Sequence, residues 1–112
     1  PTKTITHAPQ ALIQKLVLSK GGYFTIDKEV GSLIDFYNIQ FYNQGDSKYN
    51  TYDELFIKAS GFFSNTSVKE IASRGIPLNK LVVGKPGAQI DVMNTGLVSL
   101  TDLGSWTARA FK

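Results

Sequence analysis

The sequence predicts an α/β fold with parallel strands, and three observations lead there. Short apolar or alternating segments suited to strands are separated by stretches with helical spacing. Three helical stretches open with a hydroxyl residue followed three positions later by a carboxylate. One strand candidate, Phe36-Tyr37-Asn38-Ile39-Gln40-Phe41-Tyr42-Asn43, is apolar on one face and polar on the other. The predicted order is β-α-β-α-α-β-α, and strands joined through helices run parallel through right-handed crossovers.

Residues 2–7 alternate Thr and Ile and read as a short strand, stopped at Ala8-Pro9. The apolar patch at 12–18 has helical spacing and is followed by a Gly21-Gly22 loop. Residues 26–35 predict a helix, with Asp27 as its cap and Val30, Leu33 and Ile34 as its apolar stripe. A central strand is expected over residues 37–43. Thr51-x-x-Glu54 then opens a helix with Leu55 and Ala59 inward, ended by Gly61. Ser67-x-x-Glu70 opens a second that runs to Arg74 and stops at Gly75 and Pro77. Residues 80–86, Lys-Leu-Val-Val-Gly-Lys-Pro, read as a short buried strand. Ser99-x-x-Asp102 starts a last helix with Leu100, Leu103, Thr107 and Ala110 on one side.

A chain of 112 residues with 42% hydrophobic content suits one domain with a real core. The net charge is +3, and the twelve Lys and Arg are scattered from Lys3 to Lys112. That lacks the concentrated basic footprint of a nucleic-acid binder. The absence of cysteine excludes disulfides, zinc–thiolate sites and thiol catalysis. No apolar run approaches the roughly 18 residues of a membrane helix. The start, Pro1-Thr2-Lys3-Thr4, has no initiator Met or signal peptide and suggests a piece of something longer.

No cofactor or metal motif is spelled out. Gly84-Lys85-Pro86-Gly87 fails as a phosphate loop, because Pro follows the Lys and Asn79 stands where the first Gly belongs. His7 is the single histidine, which excludes sites built on several, and a structural role is expected for it. Asp53 and Glu54 sit in a helix's first turn, where the dipole favours carboxylates. Asp46, Asp91 and Asp102 read as loop or cap residues. Asn65-Thr66-Ser67 is an N-glycosylation sequon, and Trp106 reads as packing in the last helix. What remains is the row Asn38, Gln40 and Tyr42. A buried parallel strand is normally an unbroken apolar run. A polar row therefore indicates either a buried polar network or a polar ligand held at the strand's carboxyl end.

The stretch Phe36–Gly45 resembles the sixth barrel strand of family 18 glycoside hydrolases of the fungal and plant class III chitinase type, where a Gln-Phe-Tyr-Asn run is a hallmark. Thr4-Ile5-Thr6-His7-Ala8-Pro9-Gln10 is similar to the fifth strand, and Leu81-Val82-Val83-Gly84-Lys85-Pro86 to the seventh. Gly96-Leu97-Val98-Ser99 is similar to the segment leading toward the eighth. The resemblance implies a partial (β/α)8 TIM barrel of about three βα units, with residues 1–112 a fragment of one catalytic barrel domain. It further implies a secreted enzyme that hydrolyses β-1,4-linked N-acetylglucosamine in chitin or chitooligosaccharides. In that mechanism the sugar's own acetamido oxygen attacks the anomeric carbon. Tyr42 would donate its hydroxyl to the acetamido group and hold the oxazolinium-like intermediate. Gln40 would line the floor of the subsite, Asn43 its rim, and Asn38 the same polar face.

The strand-four Asp-x-x-Asp-x-Asp-x-Glu signature that supplies the general acid is not spelled by any of the nine carboxylates. After Gln10 the sequence reads Ala11-Leu12-Ile13 in place of the family's Pro and aromatic residues. The chain alone is therefore expected to be inactive. A fragment with bare edges and an unpacked inner face is expected to be poorly soluble, to self-associate, or to rearrange into an open three-layer sheet. Two alternatives predict different behaviour. A chitinase-like lectin would keep the sugar groove without the acid, and an unrelated flavodoxin-like or regulatory domain would bind no N-acetylglucosamine oligomer.

Overall fold

The computed structural model describes residues 3–11 and 22–112. The expected helical patch at 12–18 lies outside them. Three parallel strands form one sheet: β1 (Thr6–His7), β2 (Phe36–Gln40) and β3 (Leu81–Gly84), with β2 in the centre. Thr6 pairs with Phe36 and His7 with Tyr37, and β3 registers Leu81 to Gly84 against Tyr37 to Gln40. The first strand is shorter than expected. Pairing resumes beyond Pro9, where Gln40 N donates to Pro9 O at 2.8 Å and Ala11 N to Gln40 O at 3.2 Å.

Helices α1 (Gly22–Val30), α2 (Val68–Ala72) and α3 (Leu100–Ala110) connect and follow the strands, with a π-helical turn at Asp53–Ile57. The Ser67 box is complete. Glu70 N donates to the Ser67 hydroxyl at 3.3 Å, and the Glu70 carboxylate accepts from Ser67 N at 3.0 Å. Gly75 then ends the segment at φ 115°. At Thr51 the hydroxyl accepts from Glu54 N at 3.2 Å, but the turn that follows is π-helical, closed by Lys58 N to Asp53 O at 2.7 Å. Ser99 caps α3 through Asp102 N at 3.0 Å.

Two expectations fail at α1. The helix starts at Gly22, and Asp27 lies within it rather than capping it. Its carboxylate is used across space instead, accepting from the Tyr37 hydroxyl at 2.5 Å. Of the expected stripe only Ile34 is buried, because Gly31–Leu33 winds as a 3₁₀ turn and takes Val30 and Leu33 out to solvent. On α3, Leu103 and Trp106 pack on the core while Leu100 is 77% exposed.

The core lies on one side of the sheet. Tyr37, Ile39 and Phe41 meet Leu55, Phe56, Ala59, Ile71 and Ile76, with Tyr23, Phe24, Val68, Leu103 and Trp106 around them. Each fully buried Leu or Ile here contributes about 1.5–3 kcal/mol. The opposite face, carrying Asn38 on β2 and Val82 on β3, is exposed. The described chain thus has two layers, not the three of an open doubly covered sheet. Stable parallel sheets are ordinarily covered on both faces.

Candidate functional site

The β2 side chains alternate as their spacing dictates. Tyr37 and Ile39 are buried, whereas Asn38 is exposed and Phe36 and Gln40 are half-buried. The strand ends at Gln40 rather than running to residue 43 as expected. Buried Phe41 and half-buried Tyr42 lie just past it, where the chain bends toward the left-handed Asn43. Gly84 of β3 makes room for this row, since a Cβ there would stand 2.7 Å from Asn38 Oδ1 and 2.8 Å from Ile39 O. Gln40 is oriented from the other side, its Nε2 donating to Ala8 O at 2.7 Å. The three strand ends therefore converge on one polar patch.

Tyr42 follows directly. Its hydroxyl makes no hydrogen bond among the described residues, unlike the hydroxyls of Tyr37 (to Asp27) and Tyr49 (with Thr66, 2.6 Å). Asn43 then takes a left-handed conformation at φ 57°, which Asn tolerates. It turns from the strand to hold the 93–96 loop: its Oδ1 accepts from Met93 N at 2.8 Å and Asn94 N at 3.2 Å, and its own N–H donates to Thr95 O at 2.7 Å. Thr95 Oγ1 donates to Gly45 O at 2.9 Å. The Asn43 side-chain oxygen is thus committed to the loop, which leaves Nδ2 as its side-chain donor.

Lys85 directly follows β3. Its ammonium donates to Phe41 O at 2.8 Å, Tyr49 O at 2.6 Å and Gly96 O at 3.1 Å. Burial pulls its pKa down to about 7, with the Glu54 carboxylate pulling the other way. Tyr49, whose ring lies 5.9 Å from the ammonium, is pushed up to about 12. Burial is the main cause, and Glu70 and Glu54 add to it against the bond to Thr66.

The patch offers amide and phenol groups that donate and accept hydrogen bonds, which suits a neutral polar ligand. Among the described residues no group of His, Asp and Glu could hold a metal ion. His7 stacks edge-on against Tyr23 and Tyr37, with ring centroids 5.1 and 6.0 Å away. Its Nδ1 is buried without a partner among the described residues. Asp46 Oδ1 accepts from Phe62 N at 3.1 Å and Asp91 Oδ2 from Ala88 N at 3.2 Å, the loop and cap roles expected of them. Sequence reasoning missed Lys85, Asn94, Thr95 and Gly96. The available signal was a lysine directly after an apolar strand, where a solvated head is hard to place.

Compared with family models, curated proteins and solved structures, the chain matches none of them.

Proposed function

We propose that the chain is the strand-five-to-seven part of a family 18 type (β/α)8 barrel, and that its polar sheet face binds β-1,4-linked N-acetylglucosamine. The observation that carries this reading is the open face of β2. Among the described residues a parallel sheet with helices on one side carries Asn38 and Gln40 away from the buried core. Tyr42, whose hydroxyl has no partner among those residues, follows just past the strand's carboxyl end. Ligands of parallel α/β barrels sit at that end. A polar row there is costly to cover with apolar side chains and inexpensive to cover with a sugar.

In this reading Tyr42 donates to the acetamido oxygen and steadies the oxazolinium-like intermediate of a retaining, substrate-assisted hydrolysis. Gln40, Asn38 and the Asn43 amide nitrogen hold the sugar ring. The general acid comes from the strand-four segment, so this chain binds without cleaving. Secretion and action on chitin belong to the same proposal. The outer edges of β1 and β3 are unpaired among the described residues, and they favour association of the isolated chain through edge pairing.

Titration with triacetylchitotriose, followed by NMR of the Tyr42 ring and the Gln40 amide, tests the reading. Binding on the order of millimolar is expected for part of a site, with no response to cellotriose, which lacks the acetamido group. Equal responses to both sugars, or none to either, would overturn it, as would chitooligosaccharide cleavage by the purified chain.

A further inference from the structure

Lys85 stands where the geometry of Tyr42 is decided. Phe41, Tyr49 and Gly96 each present a carbonyl that meets no backbone N–H among the described residues. The three N–H groups of the ammonium meet all three. Phe41 precedes Tyr42, and Gly96 closes the loop strapped to Asn43. A residue needed only for packing would be apolar here, because burying an ammonium is expensive. The cation is kept for the carbonyls, which would otherwise be buried unsatisfied.

We propose that Lys85 is the positioning residue of this site: its ammonium fastens the carboxyl end of β2 to the 93–96 loop and thereby sets where the Tyr42 hydroxyl stands. The sugar-binding consequence rests on the function proposed above; the clamp itself does not. Among the described residues two groups face the ammonium from the elements around it. Glu54 on the π-helical turn favours the charged form, and the Tyr49 ring offers its face.

The chain contains no cysteine, so Lys85→Cys provides a unique thiol for a chemical test. Alkylation in denaturant with 2-bromoethylamine, in which the thiolate displaces bromide, gives after refolding an ammonium at lysine's length. Alkylation with 1-bromopropane gives a neutral side chain of the same length. Two readouts are followed: exchange of the Asn43 amide, bonded to Thr95 O, and the triacetylchitotriose response of the Tyr42 ring. The aminoethyl protein is expected to match the wild type in both. The propyl protein is expected to keep its fold by circular dichroism yet lose at least tenfold in Asn43 protection and in sugar affinity. A propyl protein equal to the wild type overturns the proposal, and so does an aminoethyl protein that fails to recover.

A wild-type chain that ignores the sugar defeats the proposed function alone, and Asn43 exchange then decides the clamp. Should the propyl protein not fold, the wild type decides between pH 6 and 9. Burial holds the Lys85 pKa down in the closed clamp, so opening takes up a proton and becomes less favourable as pH rises. Exchange at Asn43 should therefore climb less steeply with pH than that of an exposed amide. An ordinary slope overturns the clamp.

Discussion

Gly96 packs against Tyr42 so closely that a Cβ there would lie 2.6 Å from both the Tyr42 Cα and Cβ. Its φ of 109° is also one that side chains rarely adopt. The loop after β3 therefore reaches the end of β2 only because residue 96 has no side chain.

Gly96→Ala is expected to cost about 1–3 kcal/mol, combining backbone strain with a shift of Tyr42. Gly45→Ala makes a useful comparison, since Gly45 has φ 62° but open space around it. Both variants should lose stability in urea denaturation. Only Gly96→Ala should also change the Tyr42 ring signals and weaken the triacetylchitotriose response. Equal signals in the two variants would count against close contact at Gly96.

The Tyr37 hydroxyl, in a residue only 2% exposed, donates to Asp27 at 2.5 Å. Tyr37→Phe should cost about 1.5–3 kcal/mol at pH 7, as expected for a hydrogen bond to a charged acceptor. Burial holds the Tyr37 phenol well above its ordinary value of 10, and the bond to Asp27 and its charge add to this. The folded pKa exceeds the unfolded one, so this contribution is complete below pH 10 and lost as pH rises beyond it. Tyr49, pushed up to about 12, has the same sign. The wild-type melting temperature should fall steeply between pH 10 and 12, and Tyr37→Phe should be less stable at pH 7 but lose less over that interval. Parallel profiles would refute the assignment.

Much of this was legible where the cause is local. The Ser67–Glu70 box closes over three residues, and β2 alternates with a period of two; both formed as their spelling requires. The parallel order of strands followed from the helices between them. What could not be read depends on partners far away in the chain. Asp27 belongs to Tyr37, Asn43 to Met93 and Asn94, and Lys85 to Phe41 and Tyr49. Periodicity located apolar stripes but not their depth. Leu33 and Leu100 have helical spacing, yet 64% and 77% of their surfaces stay exposed.

Glu70 links two segments, its carboxylate accepting from Ala59 N at 2.9 Å and Ser67 N at 3.0 Å. Burial pushes its pKa up, but the backbone bonds from Ala59 and Ser67, the Ser67 hydroxyl and the Lys58 charge together bring it below the ordinary 4.5. A depressed carboxylate stabilises the fold above about pH 4.5, and its contribution is lost as pH falls below that value. Glu70→Gln should therefore flatten the acid limb of the stability profile between pH 5 and 3. A variant with the wild-type acid limb would place the titrating group elsewhere.

Gly104 tests how firmly α3 belongs to the fold. It lies inside the helix on the exposed side, where a Cβ would meet nothing within 4 Å. Glycine in a helix interior costs about 0.5–1 kcal/mol relative to alanine. Its neighbours Leu103 and Trp106 pack against the core, so stabilising α3 should stabilise the whole domain. Gly104→Ala is expected to raise the melting temperature by a few degrees in a single cooperative transition and to leave the triacetylchitotriose response unchanged, because the added Cβ meets nothing within 4 Å. If only the helical signal rose and the melting temperature stayed fixed, α3 would be an uncoupled appendage, and Leu103 and Trp106 would contribute nothing to the core.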